Sequence, residues 1–250
     1  MTTRDEGATS GSPARPAAVT VVIPAYNEAG MIERCVTEVV DGLRDRGLAF
    51  EVIVVENGST DDTGERVAAI VAREPEVSVR SLAQADYGEA MRAGLLDAVG
   101  RQVVIFDADY YDLDFLDRAL ARLDAQPAPA IVVGSKRAPG TRDDRVWPRR
   151  AITATFAMLL RIVFGLRVSD THGMKALDVE AVRPIVRRCR NGRDLFDTEL
   201  VLRCDRAGLL VVELPVTVVE RRPSRTPIAG RALRTIAGLM LLRVALWRDA

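Results

Sequence analysis

The feature that most constrains this chain is the alternation running through its first half. Val19–Ile23, Phe50–Val55, Val77–Leu82, Gln102–Phe106 and Ala130–Val133 are short, β-branched runs, separated by helical patterns. Near-continuous apolar strands spaced by helices belong to a parallel sheet covered on both faces. Helices are expected from a cap at Asn27 to Arg46, from Ser59–Asp62 to Pro75, from Gly88 to Val99 and from Leu113 to Leu123. The second half reads as a helix over Trp147–Leu166, carrying a stripe of Ile152, Phe156, Leu159, Leu160 and Val163. Helices over Val179–Cys189 and Leu195–Ala207 follow, then one long strand over Leu209–Glu220. No repeat or linker divides the chain, so the expected fold is one α/β domain, a mixed and mostly parallel sheet with helices on both faces.

The ends differ from this domain. Residues 1–18 are rich in Thr, Ser, Gly, Ala and Pro and lack the apolar segment of a signal peptide, so they are expected to form a disordered tail ahead of a domain over 19–227. Over 228–250, Leu233, Ile236, Met240, Val244 and Trp247 fall within about 80° of helical arc. That amphipathic helix would pack on the domain, on a partner subunit of a homo-oligomer, or on a membrane surface. No stretch reaches the roughly 18 uncharged apolar residues needed to span a bilayer, so a cytoplasmic protein, at most peripheral to a membrane, is expected.

Composition removes several function classes. Lys+Arg and Asp+Glu both total 35 and aromatic residues make up 5%, which leaves neither the basic field nor the stacking surface of a nucleic-acid binder. Cys35, Cys189 and Cys204 show no C-x-x-C spacing and read as reduced thiols. Neither a G-x-G-x-x-G nor a G-x-x-x-x-G-K-[ST] pattern is present.

The polar residues collect where strands end. Strand one runs into Pro24-Ala25-Tyr26-Asn27-Glu28, strand two into Glu56-Asn57-Gly58-Ser59, and strand four into Asp107-Ala108-Asp109. In an open parallel sheet, ligands bind beyond the carboxyl ends of the strands. Side chains at i and i+2 of an extended segment point the same way, so Asp107 and Asp109 can face one ligand. Their mutual repulsion is relieved by a divalent cation, and oxygen-only ligands suit Mg2+ or Mn2+ held jointly with substrate phosphates. The competing reading is an acidic turn that caps the helix beginning at Leu113.

These segments, in this order and spacing, resemble family 2 glycosyltransferases with the GT-A fold. Val133-Gly134-Ser135-Lys136, Arg149-Arg150, Asp170-Thr171-His172-Gly173-Met174-Lys175 and Glu213-Leu214-Pro215-Val216 resemble in particular the polyprenyl-phosphate sugar transferases of that family, the dolichyl-phosphate mannosyl- and glucosyltransferases among them. The resemblance spans residues 19 to 225 and implies roles position by position. Pro24, Tyr26, Glu28, Glu56, Asn57 and Ala108 would line the nucleotide pocket, with Asp107 facing ribose and diphosphate and Asp109 on the metal. Lys136, Arg149 and Thr153 would hold an acceptor phosphate, and Arg221, Arg222 and Arg225 would belong to an acceptor loop. The chain departs from its relatives at Glu56 or Asn57, where Asp is usual, at Tyr111, where mannosyltransferases often carry Gln, and at Asp86, where Gly is usual.

The implied reaction is metal-dependent, inverting transfer of a hexose from a GDP- or UDP-sugar to a polyprenyl (dolichyl-type) phosphate. Loss of the nucleoside diphosphate builds negative charge, which a metal ion on Asp109 stabilises. A phosphate acceptor is already anionic and needs cations rather than a base. A soluble hydroxyl acceptor would need a base, for which Asp197 and Glu199 are candidates, although carboxylates at a helix start also stabilise its dipole. A nucleotide-binding homologue without activity is the third reading. His172 and Lys175 lie in the Asp170–Lys175 loop, His172 with an open role and Lys175 as a candidate contact to sugar or phosphate.

Overall fold

The structure is a computed structural model that describes residues 17–143, 147–166, 168–190, 192, 195–218 and 238–246. Its strands and helices alternate in chain order: β1 (Val19–Ala25), α1 (Ile32–Asp45), β2 (Phe50–Asn57), α2 (Thr63–Val71), β3 (Val77–Leu82), α3 (Tyr87–Asp97), β4 (Gln102–Ile105), α4 (Leu113–Asp124) and β5 (Ile131–Ser135). They are followed by β6 (Arg142–Asp143), α5 (Trp147–Phe164), β7 (Lys175–Asp178), α6 (Val179–Arg188), α7 (Phe196–Arg206), β8 (Val211–Pro215) and β9 (Thr217–Val218). Seven strands form one sheet in the order β3-β2-β1-β4-β7-β5-β8. Chain order runs outward from β1 to β3 on one side and resumes at β4 on the other, so the switch point lies between β1 and β4.

β1 is buried along its whole length, as continuous apolar character requires of a central parallel strand. The two faces carry separate cores. Val22, Val55, Val103 and Ile105 face helices α3, α6 and α7, while Val21, Val54, Val104 and Phe106 face α1 and α4. The sheet is therefore covered on both sides, as the alternation implies. Cys35, Cys189 and Cys204 are buried and unbridged.

Four sequence expectations change. The strand β7 is invisible to pattern reading because it has four residues and opens on a lysine; it inserts antiparallel between β4 and β5. The expected long strand over Leu209–Glu220 is broken after Pro215, so that β8 joins the main sheet and β9 pairs β6 in a separate two-stranded ribbon. Asn27 does not cap α1. It adopts φ 55°, Thr60 N donates to its Oδ1 at 2.8 Å, and α1 begins only at Ile32. Residue 18, assigned to the tail, already donates its N–H to Ala49 O at 2.8 Å beside β1. Residues 1–16, and Leu233, Ile236 and Trp247 of the expected terminal stripe, lie outside the described residues.

Candidate active site

The site is built at the carboxyl rim of β1, β2 and β4. Parallel register aligns Ala25 with Glu56, and Phe106 N donates to Val22 O at 3.1 Å, so the exits of all three strands reach the same edge. β7 runs the opposite way, with Lys175 paired to both Ile105 and Val133. An antiparallel strand enters where its parallel neighbours leave. The Asp170–Met174 loop that precedes β7 is thereby delivered to the same rim.

The loop after β1 is tied to the loop after β2. Asn27 N donates to Ser59 Oγ at 3.0 Å and Glu28 N to Thr63 Oγ1 at 2.8 Å. Ser59 N donates to Glu56 Oε1 at 2.6 Å, so Glu56 holds its own turn. Asn57 is buried and its Oδ1 accepts from Asp86 N at 2.8 Å. Gly58, at φ +66°, lets this turn approach the neighbouring backbone, since an added Cβ would sit 3.1 Å from Ala85 N. Asp86, the departure from the family's usual Gly, caps α3 by accepting from Glu89 N at 3.0 Å. Pro24 and Ala108 are buried in the rim, whereas Tyr26 is 44% exposed at its edge.

The acid pair sits on a tight turn closed by reciprocal backbone bonds, Asp107 N to Tyr110 O at 3.1 Å and Tyr110 N to Asp107 O at 3.0 Å. Tyr87 on α3 donates its hydroxyl to Asp107 Oδ1 at 3.1 Å. Burial, then the charges of Asp109 and Asp197, push the Asp107 carboxyl up to about 6. Burial beside Asp107 also drives the Tyr87 phenol well above its ordinary range. The negative charges of Asp107, Asp109 and Asp197 thus bear on one another, with the nearby Lys175 offsetting part of them, and a divalent cation relieves such repulsion. Among the described residues, no group of three or more His, Cys, Asp or Glu side chains could hold a metal alone. A cation on Asp107 and Asp109 would take its other ligands from water and phosphate, the common habit of Mg2+. The helix-cap reading of these acids is overturned, because α4 is capped by Asp112, which accepts from Asp114 N at 2.8 Å and Phe115 N at 3.1 Å. Tyr111 is spent elsewhere: its hydroxyl donates to Glu38 Oε2 on α1 at 2.6 Å.

Below the acids lies a buried ion pair. Alternation along β7 puts Lys175 on the same face as Leu177, toward α7. Its Nζ stands 2.9 Å from Asp197 Oδ1 and donates to Gly173 O at 2.9 Å, with the Lys175 side chain fully buried. Asp197 Oδ1 accepts no aligned hydrogen bond, so the contact is one of charge. Glu199 is likewise committed, accepting from Arg203 Nε at 2.7 Å and Arg190 N at 3.0 Å. Lys175 is therefore an internal counter-ion and not a surface contact for sugar or phosphate. As one of only two lysines in the chain, it was open to detection; its depth was not.

Lys136 follows β5, and its Nζ lies 5.5 Å from the Tyr110 ring centroid, next to the Asp109 turn. The turn around it is fixed by Asp170, which accepts from Lys136 N at 3.2 Å and His172 N at 2.9 Å. Glu213 Oε1 in turn accepts from Ser169 N at 3.0 Å and Asp170 N at 3.1 Å. Gly173, at φ +118°, passes so close that an added Cβ would sit 3.3 Å from Gly134 O. His172 stacks edge-on against Phe156 of α5 at 5.4 Å. Arg149 and Thr153 lie on α5 with side chains outside the described part of the structure, and Arg221, Arg222 and Arg225 lie outside the described residues. Asp170 and Glu213 stand in the motifs that carry the family resemblance without a role of their own, and Tyr87 in none, because the significance of all three comes from partners distant in sequence.

Comparison with known proteins agrees with this arrangement. The sequence profile described as Glycosyl transferase family 2 matches residues 20–185, more than half of the chain. Dolichyl-phosphate beta-glucosyltransferase of Saccharomyces cerevisiae is 25% identical over 91% of this chain and 74% of its own length. Undecaprenyl-phosphate mannosyltransferase of Micrococcus luteus is 29% identical over 92% of this chain and 93% of its own length. Among solved structures, glucosyl-3-phosphoglycerate synthase of Mycobacterium tuberculosis, in complex with Mn2+, uridine-diphosphate and phosphoglyceric acid, superposes with TM-score 0.67 at 22% identity, covering 91% of this chain and 78% of that one. That likeness shows the GT-A fold. With the switch point, the acid pair and the profile match in agreement, the chain belongs to family 2 of the glycosyltransferases and is a nucleotide-sugar glycosyltransferase.

Proposed function

We propose that the chain transfers a hexose, with inversion, from a nucleoside-diphosphate sugar to a polyprenyl phosphate. The observation that carries the acceptor is the Lys175–Asp197 contact at 2.9 Å. A hydroxyl acceptor needs a carboxylate free to take its proton. The two candidate bases, Asp197 and Glu199, are both buried and both committed to cationic partners. A phosphate acceptor is indifferent to this, since its oxygen attacks already deprotonated. The named relatives that act on dolichyl and undecaprenyl phosphate support the same choice.

In this reading Asp109, with Asp107, would hold Mg2+ or Mn2+; a bound ion supplies Lewis-acid stabilisation of the charge that develops on the leaving diphosphate. Tyr87 orients the Asp107 carboxylate, and the Glu56 and Asn57 turn shapes the nucleoside side of the rim with Pro24, Tyr26, Glu28 and Ala108. Lys136 offers a point charge beside the acid turn, where an acceptor phosphate would be held in line with the anomeric carbon. Arg149, Thr153, Arg221 and Arg225 complete the proposed phosphate contacts.

The test is transfer of radiolabelled hexose from GDP-mannose and UDP-glucose, with Mn2+, to a short-chain polyprenyl phosphate or to 3-phosphoglycerate. Label extracted with the lipid supports the proposal, and label found only on the soluble acid refutes it. The double variant Lys175→Met/Asp197→Leu sharpens the answer. It should retain turnover to within about tenfold if Asp197 is no base, against the loss of about 100-fold or more that removal of a general base brings.

A further inference from the structure

Lys136 stands beside two carboxylates and pairs with neither. It leaves β5 next to the acid turn, yet among the described residues its Nζ makes no ion pair and lies over the Tyr110 ring, 5.5 Å from the centroid. Its backbone N donates to Asp170 Oδ2 at 3.2 Å, and a Cβ added to Gly173 would lie 3.8 Å from its Cε. The lysine stem is thus bounded by the loop before β7, and its tip by Tyr110.

Tyr110 is itself fixed. Its N donates to Asp107 O at 3.0 Å and its O accepts from Asp107 N at 3.1 Å, which closes the acid turn. The ring packs against the core on the α1 and α4 side of the sheet, and the hydroxyl reaches Thr217 O at 3.4 Å.

An ammonium this near an acid turn has two places to settle. Ion pairs near the surface are weak, because both charges are solvated and a long lysine stem must be ordered. A cation over an aromatic face is of comparable strength and gains as water is removed, and both Lys136 and Tyr110 are half-buried. The ring can therefore compete for the ammonium. The outcome matters to the chemistry: a Lys136–Asp109 pair would neutralise a carboxylate that the metal needs and would mask the ammonium from an incoming phosphate.

We infer that Tyr110 is a positioning residue, whose ring keeps the Lys136 ammonium off the acid turn and presents it to the acceptor phosphate; this rests on the acceptor role proposed for Lys136.

The experiment combines side-chain NMR with kinetics on the full chain. Only two lysines occur in the sequence, and Lys175 is buried in its ion pair, so isotope-labelled lysine gives two sets of signals, assigned with Lys136→Arg. In the parent the Lys136 ε-methylene protons should lie upfield of an ordinary lysine, shielded by the ring. Tyr110→Phe should keep that shift and Tyr110→Leu should abolish it. In transfer to a short-chain polyprenyl phosphate, Tyr110→Leu should raise the acceptor KM about fivefold and leave the donor KM within about twofold. Tyr110→Phe should restore the parent's acceptor KM, and in a Lys136→Met background Tyr110→Leu should add less than about twofold. A merely structural tyrosine would move both KM values and act alike in both backgrounds. Unshifted Lys136 protons in the parent, an acceptor KM that Tyr110→Leu leaves alone, or additive losses in the double variant overturn the inference and leave the acceptor reading standing. Label on 3-phosphoglycerate alone sinks the acceptor reading instead; a Lys136 shift that Tyr110→Leu removes then still upholds the placement by Tyr110, and its absence overturns it.

Discussion

The ammonium of Lys175 lies 2.9 Å from Asp197 Oδ1, inside protein, at the base of a rim that also holds Asp107 and Asp109. Removing one partner of a buried pair leaves an uncompensated charge, at a cost of about 3–5 kcal/mol, whereas replacing both with apolar groups is often neutral. Lys175→Met alone should therefore lower the melting temperature sharply. Adding Asp197→Leu should recover most of the loss. A double-mutant cycle of thermal or urea melts checks this, and additive losses from the two substitutions would refute the pairing.

Asp107 sets a pH dependence. Its carboxyl is raised from 3.8 to about 6 by burial first and by Asp109 and Asp197 next. The folded chain thus holds this proton more tightly than the unfolded chain, and the Asp107 contribution to stability falls as pH rises from 3.8 toward 6. In chelator, Asp107→Asn should raise the melting temperature at pH 8 more than at pH 5. With Mn2+ the same variant should lose about 100-fold or more in turnover, since a charge-stabilising contact is gone. Melts at the two pH values and a turnover assay read both effects.

Tyr87→Phe removes the hydroxyl that donates to Asp107 Oδ1 at 3.1 Å. That bond favours the ionised carboxylate, so its loss should push Asp107 further up and, in chelator, move the pH-dependent fall in melting temperature to higher pH. The stability cost should be about 0.5–1.5 kcal/mol. An unmoved pH dependence of the melting temperature would mean that Tyr87 does not act on Asp107.

Gly94 tests the packing of α3 on the sheet. An added Cβ would lie 2.4 Å from Val22 Cγ1 and 3.1 Å from Val55 Cγ2. Alanine gains about 1 kcal/mol of helix propensity over glycine, but overpacking costs about 1–3 kcal/mol and strikes a central strand. Overpacking should win, so Gly94→Ala is expected to lower the urea midpoint.

Salt bridges on the surface should matter little by comparison. Arg34 is exposed where it pairs with Glu38 at 2.6 Å, and Arg34→Gln should leave the midpoint of a urea melt essentially unchanged.

Much of this protein could be read locally. The apolar runs at Val21, Val54 and Val104 are those of strands buried on both faces, so the parallel core was legible in residue type and spacing, as was the place of the acids just past strand four; that Asp107 and Asp109 sit on a turn closed by Tyr110, and not on an extended segment, was not. Tertiary structure decided what depends on partners far apart in the chain. β7 is a strand only because β4 and β5 flank it on both sides, a pairing of four residues that no periodicity announces. Asn27 looks like a helix cap until Thr60, 33 residues away, takes its side chain. Asp197 looks like a free acid at a helix start until β7 brings Lys175 beneath it, because the energy of a charge is set by the neighbours and solvent that folding assembles around it, and not by its position along the chain.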